Sequence, residues 1–166
     1  LNNIGTIYQD QSNHKKALEY YDKSLKIQEK VSDKIGMADS YGNIANIHNV
    51  QENYGQALEY YDKSLKIYEA LGDKYNIAIS FNNIGNVYLL QENLNQALEY
   101  YNLSLNIRKE IGDKDGIALS LMNIGIIYRA KGNYDQAEEN LFTCLKIQKK
   151  IGNKNSMSTI YINLVS

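Results

Sequence analysis

Proline and tryptophan are absent from the 166 residues, cysteine occurs once, and phenylalanine occurs twice. Without Pro, nothing in the chain removes a backbone donor or forces a kink, so long uninterrupted helices are open to it. The lone Cys144 cannot close an internal disulfide, so cysteine usage does not separate a reducing compartment from an oxidising one; the cytoplasm is favoured over the periplasm. A basic stripe is missing as well. Eighteen Lys and Arg are interspersed with nineteen Asp and Glu for a net charge of -1, which disfavours nucleic acid as a partner. No apolar run approaches a membrane span and no charged-then-apolar leader opens the sequence, so no membrane insertion is expected. The chain opens at Leu1 without an initiator Met and stops at Ser166 inside what reads as a fresh helix. An excised piece of a longer protein is expected.

What the sequence has in excess is Asn, Lys, Ile and Tyr, arranged with a period of forty. Residues 17–27 read ALEYYDKSLKI, residues 57–67 read the same, and residues 97–107 read ALEYYNLSLNI. The register holds over four units, 1–40, 41–80, 81–120 and 121–160, with a truncated helix at 161–166, all in one array. In the third unit Phe81, Ile84, Gly85 and Tyr88 fall at i, i+3, i+4 and i+7, one face of a first helix. After the turn-forming Gln91-Glu92-Asn93, the positions Leu94, Ala97, Leu98, Tyr101, Leu105, Ile107 and Ile111 carry a second helix. It ends at Gly112-Asp113-Lys114, where Gly suits the left-handed cap and Asp113 can cap the next helix. The same stop recurs as Ser32-Asp33-Lys34, Gly72-Asp73-Lys74 and Gly152-Asn153-Lys154. Small residues recur too, at Gly5, Ala45, Gly85 and Gly125 on the first helices and at Ala17, Ala57, Ala97 and Ala137 on the second. They mark close helix contacts. Each unit is an antiparallel pair that buries its apolar faces only by stacking on the next.

The run of large apolar residue, Ile, Gly and Tyr, followed by Ala and an aromatic four residues later, resembles the tetratricopeptide repeat. Phe81, Ile84, Gly85, Tyr88, Ala97 and Tyr101 carry it in one unit, and the other three match in phase. The commonest form has a 34-residue period and a closing Pro, where this chain has Glu29, Glu69, Lys109 and Lys149. The longer form with GDK turns and NIG starts is similar to the repeats of Pins-type scaffolds, kinesin light chains and sensor domains of bacterial signalling proteins. The resemblance implies an all-α fold, a right-handed α-solenoid of stacked antiparallel helix pairs.

The repeat also serves as an internal control on candidate chemistry. Cys144 stands where other units have Ser24, Ser64 and Ser104; His48 stands where they have Tyr8, Tyr88 and Tyr128; His14 stands where they have Tyr54, Leu94 and Tyr134. Structural substitution explains all three, so no catalytic residue, metal or cofactor is expected. In the pairs Tyr20-Tyr21, Tyr60-Tyr61 and Tyr100-Tyr101, one ring falls on the packing face. Glu19/Lys23 and Glu59/Lys63 are i, i+4 pairs on an exposed face.

Asparagine falls into two sets. Asn13, Asn53, Asn93 and Asn133 lie in turns, as helix caps. Asn3, Asn43, Asn83, Asn123 and Asn163 sit mid-helix, where Asn is a poor helix former and no cap is needed. Helical geometry places them away from the second helix, with Asn46 and Asn86 three residues on. The family resemblance makes that side the concave groove, where Asn amides hydrogen-bond the backbone of an extended peptide; the alternative is that they bond one another or neighbouring backbone. Along the groove, Asn2, Asp10, Asp39, Asn46 and Asn49 give way to Ile79, Leu89, Leu90, Leu119, Met122 and Ile126, with Arg129 the one strong cation. The expected function is a non-enzymatic scaffold module that binds a protein or peptide segment, within a signalling or scaffold protein. The rival is a structural module that self-associates end to end.

Overall fold

The computed structural model describes residues 1–152. These residues form helices α1 (Asn2–Asp10), α2 (His14–Lys30), α3 (Lys34–Val50), α4 (Tyr54–Leu71), α5 (Lys74–Leu90), α6 (Leu94–Ile111), α7 (Lys114–Ala130) and α8 (Tyr134–Ile151), with no strand among them. The truncated helix read at 161–166, and Asn153-Lys154 of the fourth stop, lie outside the described residues. Short turns force neighbouring helices to run antiparallel. The first helices start at Lys34, Lys74 and Lys114, ahead of the counted frame, because the Asp of each stop begins the next helix at once. The chain divides into two compact units, residues 1–87 and 88–166, with the boundary inside α5.

In the first unit α1 packs on α2, α2 on α3, and α3 on α4. Ala17, Tyr21 and Leu25 of α2 close a core with Ile44 and Ile47 of α3. Burying Ile44 and Ile47 contributes about 1.5–3 kcal/mol each. In the second unit α6, α7 and α8 enclose Tyr101, Leu105, Ile124, Ile127, Leu141 and Cys144, and the last residues of α5, Tyr88 and Leu89, pack against that core. The small residues do mark the closest approaches. Ala17, Ala57 and Ala97 are fully buried. A Cβ on Gly125 would stand 2.8 Å from Leu141 and 3.3 Å from the Ala137 carbonyl oxygen, so α7 and α8 meet there almost backbone to backbone.

The tyrosine pairs divide as the spacing implies. Tyr21, Tyr61 and Tyr101 are buried, while Tyr20, Tyr60 and Tyr100 lie half-buried on the first helix of the same pair. Tyr20 stacks on Tyr8 and Tyr100 on Tyr88, both at 5.4 Å between ring centroids; Tyr60 stacks on His48 at 5.6 Å. His48 is therefore a flat ring filling a tyrosine's place. Cys144 is likewise a serine's substitute: its thiol donates to the Ala118 carbonyl at 3.0 Å, as the Ser64 hydroxyl donates to that of Ala38 at 2.8 Å. The exposed pairs Glu19/Lys23 and Glu59/Lys63 form at 2.6 and 2.7 Å.

Caps follow the sequence with exceptions. Asp33 and Asp113 accept from Gly36 N and Gly116 N at 2.9 Å, and Asp73 accepts from Asn76 N at 3.1 Å. Asn13 and Asn93 cap with their side chains at 3.3 Å, whereas Asn53 and Asn133 hold the cap position without a side-chain bond. Gly72, Gly112 and Gly152 take left-handed backbone. The turns inside the pairs also need one left-handed residue, filled by Gly132 in the last pair and by Ser12, Glu52 and Glu92 in the others, which the sequence does not announce at those three. A Cβ there costs about 1–2 kcal/mol.

Two outcomes follow from these turns and cores. Glu92→Gly should raise the unfolding free energy by about 0.5–1 kcal/mol, the relief of strain exceeding the entropy of Gly. Gly112→Ala, where nothing but backbone conformation opposes a Cβ, should lower it by about 1–2 kcal/mol. Urea titrations decide, and equal effects of the two changes would contradict the turn assignment.

The second outcome concerns pH. Burial lifts the Tyr61 phenol from 10.0 to about 12 and the Cys144 thiol from 9.0 to about 11, and raises Tyr21 and Tyr101 in the same direction. All are neutral when protonated, and the folded state holds these protons more tightly than the unfolded chain. The resulting stability is complete below the ordinary values and is lost as pH climbs through the folded ones. Unfolding free energy should stay level with respect to these groups from neutral pH to about 9 and fall between about 9 and 12. Cys144→Ser should shift stability at neutral pH by less than about 1 kcal/mol and delay the onset of the alkaline loss. Stability that stayed constant through pH 11 would refute the assigned burial.

Candidate functional site

Three first helices of the first unit, α1, α3 and α5, border one cavity of about 340 Å³. Its floor is α4, through Tyr61, Ser64 and Tyr68, all buried. Its walls carry amides: Asn2 and Asn3 from α1, Asn43 and Asn46 from α3, Asn76 and Asn83 from α5. Helical spacing explains the convergence, because positions forty apart on successive first helices fall in one row. The volume lies at the small end of the range typical of ligand sites, and the lining is far more polar than usual there.

The amides are not equivalent. Asn46 accepts from the Tyr61 hydroxyl of α4, and Ser40 Oγ lies 2.8 Å from Asn2 Oδ1. Asn76 donates to Asp73 at 2.8 Å. The side chains of Asn3, Asn43 and Asn83 make no hydrogen bond with any described residue, although Asn43 and Asn83 are half-buried. Two sequence expectations need correction here. Asn46 does not point away from the second helix: three residues beyond Asn43 it has turned to the α4 side, within reach of Tyr61. Asn3 is not mid-helix, since α1 begins at Asn2 and places it in the first turn, exposed.

Of the other expected site residues, Ile79 lines the same cavity, and Asn86 is half-buried on α5 outside its lining. In the second unit α7 carries Leu119, exposed to 38%, with Met122, Asn123 and Ile126 half-buried. Met122 packs against that unit's core. Asn163 lies outside the described residues.

The floor is what sequence reasoning missed. Tyr68 belongs to a repeat position that reads Gln28, Tyr68, Arg108 and Gln148, all buried, where Tyr68 and Arg108 break the pattern the two glutamines set. Tyr68 donates to Asp39 Oδ1 at 2.5 Å, and burial, reinforced by that bond, pushes its phenol up, so it stays protonated as a donor. Arg108 donates from Nη1 to the Gly116 carbonyl at 2.6 Å. It is the other arginine of the sequence, buried on a second helix and not on the groove face of Arg129, and a buried Arg at such a core position carries no periodic signal. The irregularity of that repeat position was the available clue.

Among the described residues no His, Cys, Asp and Glu gather in threes to hold a metal ion, and no helix is long and apolar enough to cross a membrane.

Comparison with known proteins agrees with the helix-pair architecture. The chain superposes on aspartyl phosphate phosphatase F from Bacillus subtilis with a TM-score of 0.93 over 98% of its length at 16% identity, covering 43% of that protein. It superposes on a signal-transduction ATPase with a tetratricopeptide repeat sensor from Pyrococcus horikoshii with a TM-score of 0.89 over 98% at 23% identity, covering 25%. For BtubC from P. vanneervenii the TM-score is 0.82 over 92% at 22% identity, covering 63%. The chain thus spans from a quarter to just under two thirds of these structures. At such identities the likeness concerns the fold. No protein of curated function matches the sequence. Family models described as tetratricopeptide repeats match residues 1–70, 36–110 and 118–151. These repeats generally mediate contacts between proteins and are not catalytic units. With its helix pairs, its forty-residue register and these matches over most of its length, the chain belongs to the tetratricopeptide repeat family.

Proposed function

We propose that this chain binds an extended segment of another protein along its first helices and acts as a non-enzymatic module of a signalling or scaffold protein. The observation that carries this reading is the set of unengaged side-chain amides, Asn3, Asn43 and Asn83, around one open cavity of the first unit. A primary amide donates and accepts at once, which matches the alternating N–H and C=O of a peptide backbone and asks little of its side chains. Half-buried amides without partners are costly to a fold unless a ligand or water completes them, which favours a binding role over an internal lock. In the second unit the half-exposed Leu119, Met122 and Ile126 offer apolar docking for side chains. A signalling setting is favoured by the sensor role that the same fold has in the archaeal ATPase. The net charge of -1 supports a protein partner over a nucleic acid.

The test is a peptide selected from a displayed random library and titrated by calorimetry. Asn43→Ala with Asn83→Ala should weaken its binding about five- to hundredfold, at about 0.5–1.5 kcal/mol for each lost hydrogen bond, while helix content and melting temperature hold. A double variant that loses its melting transition yet still binds the peptide at low temperature would show the amides to be structural.

A further inference from the structure

We propose, building on the peptide-binding reading above, that the first-unit cavity selects a segment carrying a Lys or Arg side chain, read by the carboxylate of Asp39. Asp39 is the single charged residue among those lining the cavity. Everything else there is amide, hydroxyl, small or apolar, so Asp39 is the one formal charge in the lining, and Asp73 behind Asn76 adds to a field of the same sign.

The carboxylate is also held in place. Tyr68, buried in the floor, donates to Asp39 Oδ1 at 2.5 Å, fixing a side chain that is otherwise exposed on α3. That bond uses one oxygen and leaves Oδ2 to a cationic donor, and an orienting hydroxyl lowers the entropy cost of forming the pair. The repeat again acts as a control. The positions matching Asp39 in the next two units are Ile79 and Leu119, and those matching Tyr68 are Gln28, Arg108 and Gln148. Acid and phenol thus occur together in one repeat, where they touch, and neither is needed to build the others. A pair that stacking does not require, at the mouth of a cavity lined by unengaged amides, is suited to setting specificity. Asn43 stands one helical turn from Asp39 on the same helix, so a main chain held by Asn43 would pass within a side chain's reach of the acid.

The experiment pans a random peptide library on phage against the wild-type chain, Asp39→Asn and Asp39→Glu. The Asn variant is isosteric and can still accept from Tyr68, so its fold should be unaffected, as its melting temperature will report. Wild type and Asp39→Glu should enrich Lys or Arg at one register of the selected peptides, and Asp39→Asn should not. By calorimetry, replacing that basic residue with Gln in a selected peptide should weaken wild-type binding about five- to twentyfold and leave binding to Asp39→Asn nearly unchanged. Peptides that depend on Asn43 and Asn83 but show no basic preference, or keep one with Asp39→Asn, would overturn this inference and leave the groove reading standing. Failure to select any peptide that depends on Asn43 and Asn83 would overturn both.

Discussion

The close contact of alanine on a second helix with its partner first helix is the constraint on which the remaining architecture depends. Ala17, Ala57 and Ala97 have no exposed surface. A larger side chain there would hold the helices apart and open the cores built from Tyr21, Tyr61 and Tyr101. Interiors are packed to crystal-like density, so such a wedge cannot be absorbed locally. Once each pair is clamped at that distance, its outer rings fall into register: Tyr8 on Tyr20, His48 on Tyr60, Tyr88 on Tyr100. The rows of the first helices follow, and with them the row of asparagines.

Much of this was legible because a repeat states each structural demand several times. Ala at 17, 57, 97 and 137 identified the clamp, and the Ser24, Ser64 and Ser104 series identified Cys144 as a packing residue before any distance was known. The turns were legible where the solution is glycine, as at Gly72 and Gly112. They were not where Glu52 and Glu92 adopt the same left-handed backbone, because a strained residue leaves no compositional mark. For the site, periodicity brought Asn43 and Asn83 to one cavity but could not say which amides are already used. Asn46 has the same spacing logic and is taken by Tyr61. Rotamer and reach decide that, and a helical wheel carries neither.

The floor of the site illustrates the complementary lesson. A second-helix position that reads Gln28, Tyr68, Arg108 and Gln148 looks like noise beside the invariant alanines, yet all four are buried. Buried polar groups call for partners, and three of these four find different ones: Gln28 accepts from the Ser40 hydroxyl, Tyr68 donates to Asp39 and Arg108 donates to the Gly116 carbonyl. The repeated positions therefore make the scaffold, and the unrepeated ones beneath the first helices give each stretch its own chemistry. One backbone can then present a different lining in each repeat without altering its stacking.

The central claim is that the unengaged amides of the first unit are completed by the backbone of a bound segment. The most direct measurement follows the side-chain NH₂ resonances of Asn3, Asn43 and Asn83 by NMR while a selected peptide is added. The account predicts that these resonances move together, saturate at one peptide per chain and become protected from exchange with water. Unmoved amides alongside shifts in Tyr20, Tyr60 and their neighbours on the second helices would contradict it.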